Sequence, residues 1–201
     1  KVAYSRRRRY LLGRELHGVM NYPFRTSLLE YLRQERAEHF QDAMETLREN
    51  YPPAAFYSAM NFLGTHDTPR VLTVLGADVL LESREARACY HLSPGERDRG
   101  LRRLRLAALV LFTFPGAPTV YYGDEAGMEG FEDPFNRGTY PWGGEDQNLL
   151  GWFRVLGRLR RDRAPLRTGG LRWLHAAGPL LAFARETETE VLTTVVNASL
   201  E

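Results

Sequence analysis

The chain has 201 residues and a net charge of +2, with 43% apolar and 26% charged residues. That length and composition allow a packed core in one or two domains and exclude a wholly disordered chain, a collagen and a coiled coil. No run approaches the ~18 consecutive apolar residues of a spanning helix, and no apolar segment follows the basic start at residues 1–10, so neither a membrane segment nor a signal peptide is expected.

In chain order, residues 16–22 read as a short strand stopped by Pro23. One helical stretch follows, with Leu28, Leu29, Leu32, then Phe40, Met44 and Leu47 at helical spacing, broken at Pro52-Pro53. Residues 59–64 form a second short strand, with the polar cluster Thr65-His66-Asp67-Thr68 at its end. A small helix over 71–75 leads into a polar loop, and Ser93-Pro94-Gly95-Glu96 is a capped helix start. Leu101, Leu104, Ala108, Leu111 and Phe112 mark the buried face of that helix. Residues 119–122 give a third strand, and 126–145 a long Gly- and Pro-rich loop of the kind that is usually functional or mobile. Asp146 opens a helix with Leu149, Phe153, Leu156 and Leu159 on one face. Beyond Pro165, residues 171–174, 180–185 and 191–196 read as strands, with turns at 177–179 and 186–190 between them, as in an antiparallel module.

The fold class is therefore α/β over 1–164, a parallel sheet with outer helices, with a separate β-module over 165–201. Three β/α units cannot close an eight-stranded barrel but can be part of one. In such barrels the active site sits on loops after the strands' C-terminal ends. Both polar clusters here, 65–70 and 123–142, occupy such positions.

Cys89 is the single cysteine, so a disulfide framework and a cysteine metal site are excluded, and a cytoplasmic setting is allowed. Lys1 is the single lysine and isoleucine is absent, so the basic residues are otherwise arginines. Arginine forks suit phosphates, but codon bias in a GC-rich genome explains missing lysine and isoleucine together, and no nucleic-acid partner is expected. The run Arg6-Arg7-Arg8-Arg9 reads as a solvated face. The chain opens at Lys1, its first methionine is Met20, and Leu200-Glu201 resembles residues from a cloning site, so the chain reads as a cut from something longer.

The sharpest signal is Asn61-Phe62-Leu63-Gly64-Thr65-His66-Asp67-Thr68-Pro69-Arg70. A His-Asp pair at a strand end can hold an imidazole and a carboxylate on one substrate atom, and a carboxylate can stabilise an oxocarbenium-like transition state. It can equally be a structural hydrogen-bonding pair. The whole string resembles the fourth conserved region of the α-amylase superfamily, glycoside hydrolase family 13, in its neopullulanase, cyclomaltodextrinase and maltogenic amylase branch. Val19-Met20-Asn21-Tyr22-Pro23-Phe24-Arg25 resembles that family's sixth barrel strand, and residues 115–125 its eighth. Asp133-Pro134-Phe135-Asn136-Arg137, followed by Tyr140-Pro141-Trp142, resembles its sugar-binding loop.

The resemblance implies a partial (β/α)8 barrel covering roughly strands six to eight, then the start of an antiparallel β-sandwich. It implies that His66 and Asp67 grip the sugar at the cleavage subsite, with Asp67 as the transition-state-stabilising carboxylate. Asp133 and Arg137 match residues that bond a glucose unit, although a carboxylate and a guanidinium four residues apart can simply pair. Arg70 either orders the loop or touches sugar. Tyr140 and Trp142 either stack on sugar faces or pack into the core. Asp124 and Glu125 are expected to brace the end of the eighth strand, and His17, His39, His91 and His175 to be structural or surface residues. No metal or cofactor is expected, because no histidine has a partner at metal spacing.

One departure limits the resemblance. Retaining glycosidases need a nucleophile and an acid/base carboxylate about 5 Å apart. In the family these follow the fourth and fifth strands, before the match begins. Residues 1–15 hold Glu15 as their one acidic residue. The expected function is a fragment of a retaining α-glucan hydrolase for α-1,4 linkages, with α-1,6 a further candidate, inactive alone. The rival is a non-catalytic carbohydrate-binding or interaction module. An open barrel edge, with Val19, Phe62 and Val120 facing solvent, predicts self-association.

Overall fold

The computed structural model describes residues 9–79 and 83–199. Arg6, Arg7 and Arg8 lie outside them; Arg9 pairs with Glu15 at 3.4 Å.

Helix α1 (Tyr22–Gln34) starts where Asn21 accepts the Phe24 N–H at 3.1 Å. It ends at Glu35, whose φ of 57 is left-handed. Helix α2 (Ala37–Asn50) follows at once. The single helical stretch expected here is therefore two helices. No Pro or Gly announces the break, because a lone residue in the αL region suffices to end a helix. A short α3 (Pro53–Tyr57) precedes strand β1 (Met60–Phe62), which carries the chain to α4 (Val71–Gly76). The expected polar loop after α4 contains a short helix, α5 (Arg84–Cys89), capped by Ser83.

Helix α6 (Pro94–Thr113) begins with the expected capping box: Ser93 Oγ accepts the Glu96 N–H, and Glu96 accepts the Ser93 N–H at 2.9 Å. Strand β2 (Ala117–Thr119) pairs in parallel with β1, Asn61 opposite Pro118. It lies earlier than the expected 119–122, because the chain turns away after Thr119 to begin the long loop. The expected strand over 16–22 is reduced to one parallel bridge, Met20 to Met60. A buried amide chain ties the three segments together. Asn21 Nδ2 donates to Asn61 Oδ1 at 2.9 Å, and Asn61 Nδ2 donates to Pro115 O at 2.7 Å.

Asp146 caps α7 (Gln147–Asp162) as expected, accepting the Leu149 N–H at 2.9 Å. A short α8 (Ala164–Thr168) then leads to an antiparallel sheet, β3 (Gly170–Ala177), β4 (Leu180–Glu186) and β5 (Val191–Asn197), in that order.

The two parts share one apolar core. Phe114, at the end of α6, lies 5.7 Å from Phe24 of α1 and 5.4 Å from Phe40 of α2. On its other side it lies 5.7 Å from Trp173 of β3 and 5.4 Å from Phe183 of β4. Arginines serve this junction from inside. Arg185, fully buried on β4, donates to Gly169 O and Thr113 O, and Arg160 donates to Phe112 O and Phe114 O. The bonds to Phe112, Thr113 and Phe114 satisfy carbonyls that the end of α6 leaves without helical partners, and the bond to Gly169 does the same at the end of α8. Burial pushes both guanidinium groups down to about 10.

The apolar edge differs from expectation at two residues: Val19 is half-buried against the core, and Phe62 is enclosed. Phe62 is 1% exposed, packed edge-on against Tyr22 at 4.9 Å. Leu16, Met20, Val120 and Tyr122 remain exposed along that side.

Candidate active site

Because β1 and β2 run in parallel, their following segments emerge at the same end of the sheet. The segment after β1 is a tight turn over 65–68. Thr65 Oγ1 accepts the Asp67 N–H at 3.1 Å, and Thr68 Oγ1 accepts the Thr65 N–H at 3.1 Å. The turn lifts His66 and Asp67 into solvent, each side chain 61% exposed, with His66 Nε2 at 3.3 Å from Asp67 Oδ1.

The segment after β2 brings the second cluster to the first. In the short 3-10 turn Phe135–Arg137, the Arg137 guanidinium faces two carboxylates. Its Nε lies 3.1 Å from Asp133 Oδ1, and its Nη2 lies 3.9 Å from Asp67 Oδ1. His66, Asp67, Arg137 and Asp133 thus form one continuous polar patch assembled from two loops. The local pairing of Asp133 with Arg137 is present, and the same guanidinium also reaches across to Asp67.

Beneath the patch lies a buried layer. Arg70 has no exposed surface. It donates to Tyr122 O, sits 3.3 Å from Asp124 Oδ1, and stacks over the Tyr121 and Tyr122 rings at 4.3 and 4.6 Å. Its own N–H donates to Gly130 O at 2.9 Å. A sugar contact for Arg70 is thereby corrected: the residue orders the loops and has no surface to offer a ligand. Asp124, 2% exposed, is enclosed in the segment after β2, where it faces Arg70. Burial outweighs the Arg70 charge and pushes its carboxyl up to about 7. Gly64 makes this approach possible, since a Cβ there would stand 2.4 Å from Asp124 Oδ2. Arg25 supports the same turn from α1, its Nε donating to Leu63 O at 2.7 Å.

Tyr140 and Trp142 sit at the rim with ring centroids 4.6 Å apart. Trp142 is 86% exposed, so core packing is corrected for this residue. Tyr140 is half-buried beside it.

Two supporting residues carried no assigned role in the sequence reading. Arg25 lies in the 19–25 motif and Asn136 in the 133–137 motif, but their burial and their hold on the 63–68 backbone are tertiary facts. The one available signal was an amide-bearing residue between two candidate sugar ligands, Asp133 and Arg137. Among the described residues, no group of three or more His, Cys, Asp or Glu could hold a metal ion, and no helix is long and apolar enough to cross a membrane.

With that geometry in place, comparison with known proteins is decisive. A family model described as the alpha-amylase catalytic domain matches residues 2–168. The chain belongs to the alpha-amylase family, glycoside hydrolase family 13. Among curated members of this family, an amylopullulanase of Thermoanaerobacter thermohydrosulfuricus is 37% identical over 187 residues, covering 87% of this chain and 12% of that protein. A cyclomaltodextrinase of Geobacillus thermopakistaniensis is 33% identical over 198 residues, covering 96% of this chain and 30% of that protein. Solved alpha-amylase-family structures agree. A cyclomaltodextrinase superposes with a TM-score of 0.77 at 31% identity, covering 94% of this chain and 30% of that one. A debranching enzyme from Nostoc punctiforme gives 0.79 at 29% identity, covering 95% of this chain and 39% of that one. The chain thus spans well under half the length of these relatives. Its parallel strands and outer helices are part of a TIM-type catalytic barrel, accompanied by a small antiparallel sheet.

Proposed function

We propose that this chain is the C-terminal portion of a retaining α-glucan hydrolase, supplying roughly barrel strands six to eight over 1–164 and the start of a β-sandwich over 165–201. The substrates proposed are maltooligosaccharides and related glucans with α-1,4 linkages, with α-1,6 a further linkage to assay. The observation that carries this reading is the Asp67 carboxylate, held 3.3 Å from His66 and 3.9 Å from Arg137 at the C-terminal end of a parallel strand.

In that role Asp67 places negative charge beside the anomeric carbon as the glycosidic bond breaks and positive charge develops. His66 donates to a sugar hydroxyl at the same subsite. Asp133 and Arg137 bond the neighbouring glucose unit, and Tyr140 with Trp142 offers an aromatic face to a sugar ring. Arg137 lies between the two carboxylates, so a glucose bound by the loop after β2 is set in register with Asp67.

The chain alone is proposed to be inactive. Residues 1–15, ahead of the motifs that resemble the family's sixth to eighth strands, hold Glu15 as their one acidic residue, and hydrolysis with retention needs both a nucleophile and an acid/base carboxylate. Asp67 on its own stands in water, where a carboxylate stabilises a developing cation far less than in a closed site. Self-association through the exposed edge at Leu16, Met20, Val120 and Tyr122 is part of the same proposal, with a second copy covering those side chains. Sedimentation of the chain at rising concentration tests it; a monomer throughout contradicts it.

Titration of the chain with maltotriose tests the sugar reading. Binding that is lost in Arg137→Ala and Asp133→Ala supports it; no binding, or binding indifferent to both, overturns it. The rival, a carbohydrate-binding module without chemistry, rests on the exposure of Trp142 and would share this binding. Activity of a longer chain separates the two.

A further inference from the structure

Asn136 has no exposed surface, while Phe135 before it is half-buried and Arg137 after it is exposed. Its side chain crosses from the loop after β2 to the turn after β1. The Nδ2 donates to Thr68 O at 2.7 Å and His66 O at 2.9 Å, and Thr65 O lies 3.4 Å away. A primary amide has two N–H groups, so the two short bonds use both, and the third carbonyl shares one at longer range. The Oδ1 is buried and receives no hydrogen bond. The opposite amide orientation would set that oxygen against three carbonyls, so the orientation is fixed by chemistry.

We infer that Asn136 is a positioning residue: its amide clamps the backbone of the 65–68 turn and thereby sets where His66 and Asp67 point. The clamp connects two parts of the site. The residues on either side of it include Asp133 and Arg137, which face the proposed glucose unit. The carbonyls it grips belong to the turn bearing Asp67. Occupancy of the sugar loop and the pose of the Asp67 carboxylate are then mechanically one event, which is how binding energy at one subsite can serve orientation at another. The clamp itself stands on the hydrogen bonds; its role in catalysis rests on the sugar reading above.

Hydrogen exchange of the chain, read by NMR, tests the clamp without sugar. Two variants are compared with the wild type: Asn136→Ala, which removes the side-chain amide, and Asn136→Asp, which keeps its size but removes the donors. Opening of the turn is expected to speed exchange of the Thr65 and Asp67 amides about 10-fold or more in both variants, with β4 and β5 unchanged. Unchanged exchange at 65 and 67, uniform acceleration across the core, or wild-type behaviour of Asn136→Asp overturns the inference. Should neither variant fold, the Asn136 side-chain amide protons of the wild type decide. They are expected to exchange at least about 100-fold slower than a free amide, and free-amide exchange overturns the clamp.

A second arm adds maltotriose. In the wild type, bound sugar is expected to protect residues 65–68 together with 133–137; in the variants, protection stays with 133–137. Protection confined to 133–137 in the wild type overturns the coupling. If the wild type binds no maltotriose, the sugar reading falls while the first arm still judges the clamp.

Discussion

The Arg137 Nη2 stands 3.9 Å from the Asp67 Oδ1, joining the loop after β2 to the turn after β1 across solvent-exposed ground. The same guanidinium holds Asp133 through its Nε. An exposed pair of this kind contributes little to stability, typically about 0–1 kcal/mol. Its worth is geometric. Arg137→Ala is therefore expected to leave the thermal midpoint within about 2 °C while weakening maltotriose binding about 10-fold or more, since charged hydrogen bonds contribute ~1.5–3 kcal/mol. Arg137→Lys recovers little, because a point charge cannot face two carboxylates as a planar fork does. Calorimetric titration of both variants checks this.

The buried pair beneath behaves in the opposite way. Arg70 and Asp124 are both enclosed, and removing one partner leaves the other's buried polar atoms without a partner. Arg70→Met is expected to destabilise the chain by about 3–5 kcal/mol. Combining it with Asp124→Leu should recover part of that loss, as apolar replacement of a whole buried pair often does. Urea unfolding of the single and double variants measures both.

Asp124 also makes a pH signature. Its carboxyl is pushed from 3.8 up to about 7 by burial. Between those values the folded chain holds a proton that the unfolded chain has released. The contribution of this group to stability is thus greatest in acid and falls as the pH rises from about 4 through about 7. Unfolding free energies at about pH 5 and about pH 8 should therefore drop more in the wild type than in Asp124→Asn. Parallel pH dependences of the two proteins contradict the shift.

Trp142 separates binding from folding. At 86% exposure its replacement by alanine is expected to change stability by no more than about 0.5 kcal/mol. If its ring takes a sugar face, affinity for maltotriose falls by up to about 10-fold, the scale of an aromatic contact of ~0.5–1.5 kcal/mol. Fluorescence of the wild type beside the Trp142→Ala variant during titration isolates this ring, because Trp152 and Trp173 pack against the core.

Local chemistry made much of this fold legible. Ser93 with Glu96, and Asp146 before Leu149, announced two helix starts through capping patterns that operate within four residues. Strands β3, β4 and β5 were legible as short apolar runs between turn residues, with β3 extending beyond the expected 171–174. The break at Glu35 was invisible, because a single αL residue between two apolar-periodic helices leaves the periodicity intact. The displaced β2 reflects parallel pairing with β1, a partner distant in sequence.

The site divided in the same way. His66, Asp67, Asp133 and Arg137 stood out as motif residues, and their convergence follows from two loops leaving one end of a parallel sheet. What sequence could not settle was burial. Arg70 and Trp142 each had two readings, and packing placed the arginine inside and the tryptophan outside. Asn136 lies within the Asp133–Arg137 motif, but its three carbonyl neighbours lie in a segment far away in the chain.

The most direct measurement is reducing-sugar release from maltotriose, cyclodextrin and pullulan by three proteins. These are this chain, a chain extended upstream toward a complete barrel of about 250 residues, and that extended chain carrying Asp67→Asn. The prediction is no cleavage by the first, cleavage by the second, and a loss of about 100- to 1000-fold or more in the third, the scale of removing one transition-state charge stabiliser. Cleavage by the present chain, or an extended enzyme indifferent to Asp67→Asn, would contradict the role assigned to Asp67.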